Sequence, residues 1–364
     1  MLFARQSRQR NPDIEVECWR PECSLGSEYT WQDEIHQITH RIFPSVFFRY
    51  GWELSIPMLK AAAKHAKSGR WCFLVHGSYN LHAYSLARVL SGAPAILQSH
   101  GGLPAMARMK ASQRKWSAPL FFPLALIEGR SLPLYPHIFA VNTLERASIE
   151  EAFPGTLVSF SPVAIDFDLF SPGDRLTSRN QLGLPMNSQI ILFVGRLAPG
   201  KGIRHLLDAI AILAKRFPRI ESFVVGSGPC ESYLREHAKT LGIESHVHFV
   251  GYVNHDMLVD WYRAADLLCL PSMFEGFPLT AAEAMACGTP IVASHVGGLP
   301  DVVNAFECGI LVPPRDPGAL SAAIEQMLLN QSNAIPNTEK ARESLDWSAK
   351  LNRINDLFSE MASS

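Results

Sequence analysis

The stretch from Pro271 to Gly298, PSMFEGFPLTAAEAMACGTPIVASHVGG, constrains the fold more than any other part of the chain. An apolar run, Ala265 to Leu270, leads into it and has the length and composition of a buried strand. Glu275-Gly276-Phe277-Pro278 then turns the chain, and Leu279 to Cys287, rich in Ala, Met and Glu, predicts a helix. Gly288 ends that helix, Thr289-Pro290 turns again, and Ile291 to Ser294 starts a new strand. Strand, loop, helix and strand in this order make the repeating unit of a parallel α/β sheet.

Two carboxylates lie in this unit, Glu275 and Glu283, with seven residues between them. Glu275 falls in the loop at the carboxyl end of a strand, where open α/β sheets bind ligands. Glu283 falls about one turn into the helix. Each carboxylate could simply complement a helix dipole, or could accept hydrogen bonds from vicinal hydroxyls of a ribose or a sugar ring. The spacing leaves both readings open.

The rest of the chain extends the same pattern. In the second half, the strands Gln189 to Val194, Ser222 to Val225, Val247 to Val250 and Ile310 to Val312 alternate with helical runs. Those runs are Ile203 to Phe217, Glu231 to Leu241, Asp256 to Ala264 and Ala319 to Leu329. The first half predicts strands at Ile14 to Cys18, Trp71 to His76, Ala95 to Gln98, Ile138 to Val141 and Leu157 to Phe160. Helices are predicted at Leu54 to Ala66, at Tyr79 to Leu90 and from Thr143. Pro162 to Pro172 is expected to be a linker, and Trp347 to Met361 an amphipathic terminal helix. A length of 364 residues suits two domains.

Composition narrows the function classes. A net charge of −1 gives no whole-chain field for nucleic acid. Seven scattered Cys without a C-x-x-C pair fit reduced core thiols in a cytosolic protein. His36 and His40 stand four apart, and His246 and His248 two apart, without a recognisable set of metal-ligand partners. The start, MLFARQSRQR, has no apolar core of a secretory leader, and the apolar run Trp116 to Ile127 is too short to span a bilayer. The expectation is a cytoplasmic protein, free or resting on the inner face of a membrane.

Gly195-Arg196-Leu197-Ala198-Pro199-Gly200-Lys201-Gly202 is nearly a phosphate-binding P-loop, but Gly202 replaces the hydroxyl residue that would hold Mg²⁺. This disfavours a nucleoside triphosphatase. It leaves two cations in a loop at a helix start, which suits a phosphate group or an ordinary exposed connection. Asp166-Phe167-Asp168 is formally a D-x-D metal motif and is read as structural. Gly226-Ser227-Gly228 is a lone G-x-G, so a dinucleotide-binding dehydrogenase is a weak rival.

The string from Pro271 to Gly298 closely resembles the signature of the retaining GT-B glycosyltransferases of family four (glycosyl transferases group 1), a Glu, seven residues, then a second Glu. That resemblance implies two Rossmann-like, doubly wound α/β lobes facing a cleft. Residues 1–172 would form an acceptor-side lobe, 173–345 a nucleotide-sugar lobe, and 346–364 a helix crossing back to the first. It implies a hexosyltransferase acting on a nucleoside-diphosphate sugar, without a metal or other cofactor, with a glycan, polysaccharide or lipid-linked acceptor. Arg196 and Lys201 would neutralise the departing diphosphate, and Glu275 would meet hydroxyls of the donor sugar. Glu283 would bind the ribose, the backbone of Phe277, Pro278, Leu279 and Thr280 would lie against sugar and phosphate, and Gly195 would sit by the phosphates. Gly251 and Tyr252 would border the base. His100 matches the first-lobe histidine that reaches the donor sugar, though a lone His at a strand end is also an ordinary structural residue.

Two parts depart from the family pattern. No Gly-rich loop precedes Ile14, so the first lobe is expected to lack that strand and loop or to be rebuilt. The rival within the fold is therefore a non-catalytic nucleotide-sugar binder or a degenerate partner subunit. Met106 to Phe122 mixes Arg108, Lys110, Arg114 and Lys115 with Trp116 and Phe121. It suits either an anionic membrane surface or a solvated helix face.

Overall fold

The computed structural model describes residues 15–22, 27–33, 37–48, 52–77, 81–101, 126–330 and 336–363. The basic and aromatic stretch 106–122 lies outside these residues. The chain divides into two compact units, Met1–Pro162 together with Trp347–Ser364, and Val163–Asp346.

In the first unit, β1 (Val16–Glu22), β2 (Tyr29–Asp33) and β3 (Ile38–Pro44) form a mixed sheet of order β1-β3-β2, and β4 (Val46–Phe48) pairs with β5 (Trp52–Leu54). Four parallel strands follow in the order β6 (Phe73–His76), β7 (Ala95–Gln98), β8 (His137–Ala140) and β9 (Val158–Phe160). Helices α1 (Ile56–Ser68), α2 (Leu81–Val89) and α3 (Thr143–Ala152) connect them. Sequence reading began α1 at Leu54, but that residue ends β5. Ser55 accepts from the Met58 amide as N-cap, and Gly69 closes the helix with φ 65°. The segment before residue 70 is part of this unit's core, since fully buried Phe43 packs with Met58, Ala62 and Leu97. The C-terminal helix Trp347–Ser363 belongs to this unit and covers Ile96 and Phe139 with Ile354.

In the second unit, six parallel strands run in the order β12-β11-β10-β13-β14-β15. They are β10 (Gln189–Val194), β11 (Ile220–Val225), β12 (Val247–Gly251), β13 (Leu267–Leu270), β14 (Ile291–Ser294) and β15 (Gly309–Val312). Both faces are covered, which is why β10 and β13 are almost wholly apolar. Leu206, Leu207, Ile210 and Leu213 of the helix at Ile203–Leu213 bury one stripe against this sheet. From β10 the chain winds outward to β12, then returns to β13 on the other side and winds out to β15. The order reverses between β10 and β13, so a topological switch point lies at their carboxyl ends.

The segment from residue 162, expected as a linker, is instead built into the second unit. Ile165, Phe167 and Phe170 are buried in its core, and the Ile165 amide donates to the Leu345 carbonyl at 2.8 Å. One oxygen of Asp166 accepts from the amides of Asp168 and Leu169, both at 3.1 Å, and Asp168 pairs with Arg342. The D-x-D pair thus closes a turn and anchors a surface arginine. Helix α4 (Arg175–Leu182), with Asp174 as N-cap and Gly183 as its left-handed stop, was not among the predicted helices. Its periodic signal is short and polar, and tertiary contacts hold it in place. Buried Arg179 donates to Asp266 and to the carbonyls of Ala264, Met186 and Ser188.

Candidate functional site

The switch point gathers three loops. Residues 195–202 follow β10, residues 271–278 follow β13, and residues 252–257 follow β12. The first leads into α5 (Ile203–Leu213) and the second into α8 (Leu279–Ala286). Between them in chain order lie α6 (Glu231–Thr240) and α7 (Leu258–Ala264).

Lys201 and Glu275 meet here. The Lys201 Nζ donates to both carboxylate oxygens, at 3.0 and 2.8 Å, and the Ser272 hydroxyl adds a bond at 3.1 Å. The Met273 amide donates to the Gly200 carbonyl at 2.8 Å, fastening one loop to the other. Arg196, on the same loop as Lys201, is exposed and has no ion pair among the described residues.

Glycines make this convergence possible. A Cβ on Gly202 (φ +66°) would stand 1.9 Å from the Pro271 carbonyl oxygen, so the residue that spoils the P-loop motif is required by packing. A Cβ on Gly297 (φ +53°) would stand 1.7 Å from the Glu275 carbonyl oxygen, and the Gly298 amide donates to that oxygen. The two ends of the signature stretch therefore touch, and the Gly-Gly end seats the Glu275 backbone. Gly226 and Gly228 abut the backbones of Gly195 and Leu197 in the same manner. The lone G-x-G is thereby accounted for by close approach of two strand-end loops.

Glu283, on α8, is 2% exposed and carries two partners. The buried Tyr262 hydroxyl donates to Oε2 at 2.7 Å, and His255 Nε2 lies 2.7 Å from Oε1. Burial, reinforced by the adjoining carboxylate, holds the Tyr262 phenol well above its ordinary pKa, so it is a permanent donor. The hydrogen bond to Glu283 raises the pKa of His255 against a smaller opposing effect of burial.

The remaining predicted contacts of this unit are distributed around these groups. Tyr252 is 75% exposed. Gly251 adopts φ +85° and its carbonyl accepts from the Gly226 amide at 2.7 Å. Gly195 adopts φ +156°, a backbone conformation that L side chains rarely adopt. Phe277 and Thr280 are half-buried, Pro278 is buried and Leu279 is exposed at the start of α8. Among the described residues there is no cluster of three or more His, Cys, Asp or Glu able to hold a metal ion.

His100 lies in the first unit, just beyond β7, with its Nε2 3.2 Å from Nδ1 of His76 at the end of β6. Lys350, on the C-terminal helix, donates to Gln98 at 2.9 Å and to the Pro162 carbonyl at 2.8 Å. Desolvation, then His100, then Lys350 lower His76 to about 4. Desolvation and Lys350 also lower His100, and burial followed by Arg353 brings Lys350 down to about 8. This cluster keeps its imidazoles neutral. Sequence reading named His100 but missed His76 and Lys350. His76 hides at the end of an apolar strand, and Lys350 reaches Gln98 across 252 positions, with no local signal. His255 was missed as well, although it lies four residues past Gly251 in the loop assigned to the base.

The α/β architecture of parallel sheets is the fold of the GT-B glycosyltransferases. Across 99% of the chain the fold matches sucrose-phosphate synthase from Thermosynechococcus elongatus, with a TM-score of 0.75, 23% identity and 92% of that chain covered. It also matches Anabaena HepE in complex with UDP, with a TM-score of 0.72, 19% identity and coverages of 99% and 95%. Residues 174–345 match the family described as glycosyl transferases group 1. A D-inositol 3-phosphate glycosyltransferase of Catenulispora acidiphila is 40% identical over 234 residues, 60% of this chain and 55% of the relative. One of Corynebacterium glutamicum is 37% identical over 240 residues, 61% of this chain and 57% of the relative. The chain thus spans little more than half the length of these relatives. Among the described residues no helix is long and apolar enough to cross a membrane.

Proposed function

We propose that the protein is a glycosyltransferase that moves a sugar from a nucleoside-diphosphate sugar to an acceptor hydroxyl, with retention and without a metal. The observation that supports this most is the joining of Lys201 to Glu275 at the switch point, with exposed Arg196 on the Lys201 loop and buried Glu283 on the helix that follows Glu275. In this reading negative charge grows on the diphosphate as the glycosidic bond breaks. Arg196 and Lys201 stabilise it, the largest contribution such a site can make. Glu275 holds the Lys201 ammonium in place and offers its remaining lone pairs to donor-sugar hydroxyls. Glu283 accepts from the ribose diol, and exposed Tyr252 flanks the base. The acceptor hydroxyl attacks from the face that the diphosphate leaves, and its proton passes to the departing phosphate oxygen. No protein nucleophile is invoked. His100, kept neutral, donates to or accepts from a sugar hydroxyl without adding positive charge.

For the acceptor, a glycan or lipid-linked glycan is the primary reading, with Arg108, Lys110, Arg114, Lys115 and Trp116 as a peripheral membrane contact. The names of the relatives support a second, a phosphorylated polyol such as D-inositol 3-phosphate.

The test is a thermal-shift titration with UDP, GDP and ADP, their sugar conjugates and NAD, followed by turnover assays with both acceptor classes. A ligand at about a hundred times its dissociation constant adds roughly 2.7 kcal/mol to stability. Stabilisation by one nucleoside diphosphate and its sugar, with transfer to an acceptor, is expected. Binding without transfer would instead support the non-catalytic binder, and no shift with any nucleotide would overturn the donor site.

A further inference from the structure

Each carboxylate oxygen of Glu283 already accepts a hydrogen bond or faces a ring nitrogen at hydrogen-bond distance. Its Oε2 is held by a phenol that is fully buried, so Tyr262 cannot turn away. Its Oε1 is held by His255, whose side chain is 52% exposed. His255 follows Tyr252, Val253 and Asn254 on the loop beyond β12, and its ring meets Phe170 edge-on at 5.1 Å. Of these two partners only His255 reaches solvent, so a ligand approaches Glu283 from the His255 side. A diol arriving there meets Oε1 where the imidazole stands, with one lone pair of that oxygen already taken.

We infer that His255 is a built-in competitor for the nucleotide ribose, which occupies the Glu283 carboxylate in the empty site and is displaced when the donor binds. This rests on the reading of Glu283 as the ribose-binding group. The exchange leaves atoms and charges intact: one hydrogen bond to Oε1 is traded for another. The cost of displacing His255 depends on its charge. As imidazolium it makes a charge-assisted bond to a carboxylate, roughly twice as strong as a neutral one. The charged groups facing His255 are all acidic: Glu283 from α8, Asp166 from the buried turn and neighbouring Asp256. They hold the proton on the ring to a higher pH than usual, so competition is strongest on the acid side. Nucleotide affinity should rise as pH climbs through the raised His255 pKa, where the imidazole becomes neutral and easier to displace.

The experiment is calorimetric titration of the nucleoside diphosphate identified by the panel above, from pH 5.5 to 8.5. It uses the wild-type chain, His255→Ala, His255→Gln and Glu283→Ala, each checked for folding by circular dichroism. Wild-type affinity is expected to improve about tenfold across this range, the change expected for one charge-assisted contact. His255→Gln, which retains a neutral donor, should bind at every pH as the wild type does at the alkaline end. His255→Ala should bind most tightly and without that pH slope. Should His255→Ala bind more weakly than wild type at all pH values, His255 would be a ligand contact and the inference is overturned. A wild-type pH slope retained by both His255 variants would also overturn it. Glu283→Ala separates the two levels of the argument. Weakened binding upholds the ribose reading whatever His255 does, whereas unchanged binding removes that reading and this inference together.

Discussion

The candidate site of the second unit and the His76 cluster of the first handle crowded titratable groups in opposite ways. In the second unit's site opposite charges are brought together. Lys201 lies on Glu275, His255 on Glu283, and Arg175 and Arg179 on Asp266. In the first unit's cluster, groups of like charge are packed side by side, although Arg41 elsewhere in that unit pairs with Glu17 and Glu28. His76 lies against His100, with the Lys350 ammonium close enough to lower both. Pairing preserves charge in a partly dry site, whereas burial, with like charge close by as the smaller effect, suppresses it. A donor site built to meet a diphosphate needs fixed cations. The first-unit cluster instead presents neutral imidazoles, which can donate or accept hydrogen bonds at ordinary pH.

The sharpest way to break this contrast is at the exposed cation. Arg196→Ala should lower turnover about a hundredfold, in the range for removing one stabilising group from a developing oxyanion, with little change in nucleotide affinity measured by calorimetry. Equal losses in affinity and turnover would mean that Arg196 binds the ground state and does not favour the transition state. Next in size is the packing that brings the loops together. Gly202→Ser restores the P-loop letter yet places a Cβ against the Pro271 carbonyl in a left-handed conformation. It should cost about 2 kcal/mol or more in urea unfolding and gain no triphosphatase activity.

A smaller effect tests the ion pair. Lys201→Met leaves Glu275 with only the Ser272 hydroxyl and should lose about 1 kcal/mol, and adding Glu275→Gln should recover part of that loss in a double-mutant cycle. An additive cycle would show that the pair is not coupled. The smallest effect concerns pH. Folded His76 titrates near about 4 against an ordinary value of 6.5, so as pH falls the unfolded chain takes up this proton first. The stability tied to neutral His76 is full above pH 6.5 and is lost as pH drops toward 4. His76→Asn should therefore flatten the fall in melting temperature across that window. Lys350→Met, by removing the nearby charge, should bring the folded His76 pKa closer to its ordinary value and so make the fall smaller and end it at a higher pH. Identical acid profiles for all three proteins would show that crowding does not govern the histidines.

The amino-acid sequence by itself determined the repeating strand and helix pattern of the second unit, because buried parallel strands are continuous apolar runs and their helices carry a clear stripe. It also determined which loops carry Arg196, Lys201 and Glu275, since each follows a strand end, and that Glu283 falls on the helix after the last of them. Those are local properties, written within a few residues of one another. Tertiary structure decided what these groups touch. Only the reversal of strand order between β10 and β13 brings Lys201 to Glu275 across 74 positions, and only the close approach of loop backbones explains Gly202 and Gly297. His255 on Glu283, Lys350 beside Gln98, and the anchoring of Ile165 and Arg179 depend on distant chain segments. Their local patterns are short, polar or irregular, so nothing in periodicity could announce them. Hydrogen bonds and charge pairs act through space over a few ångströms, and the fold alone sets which residues come within that reach.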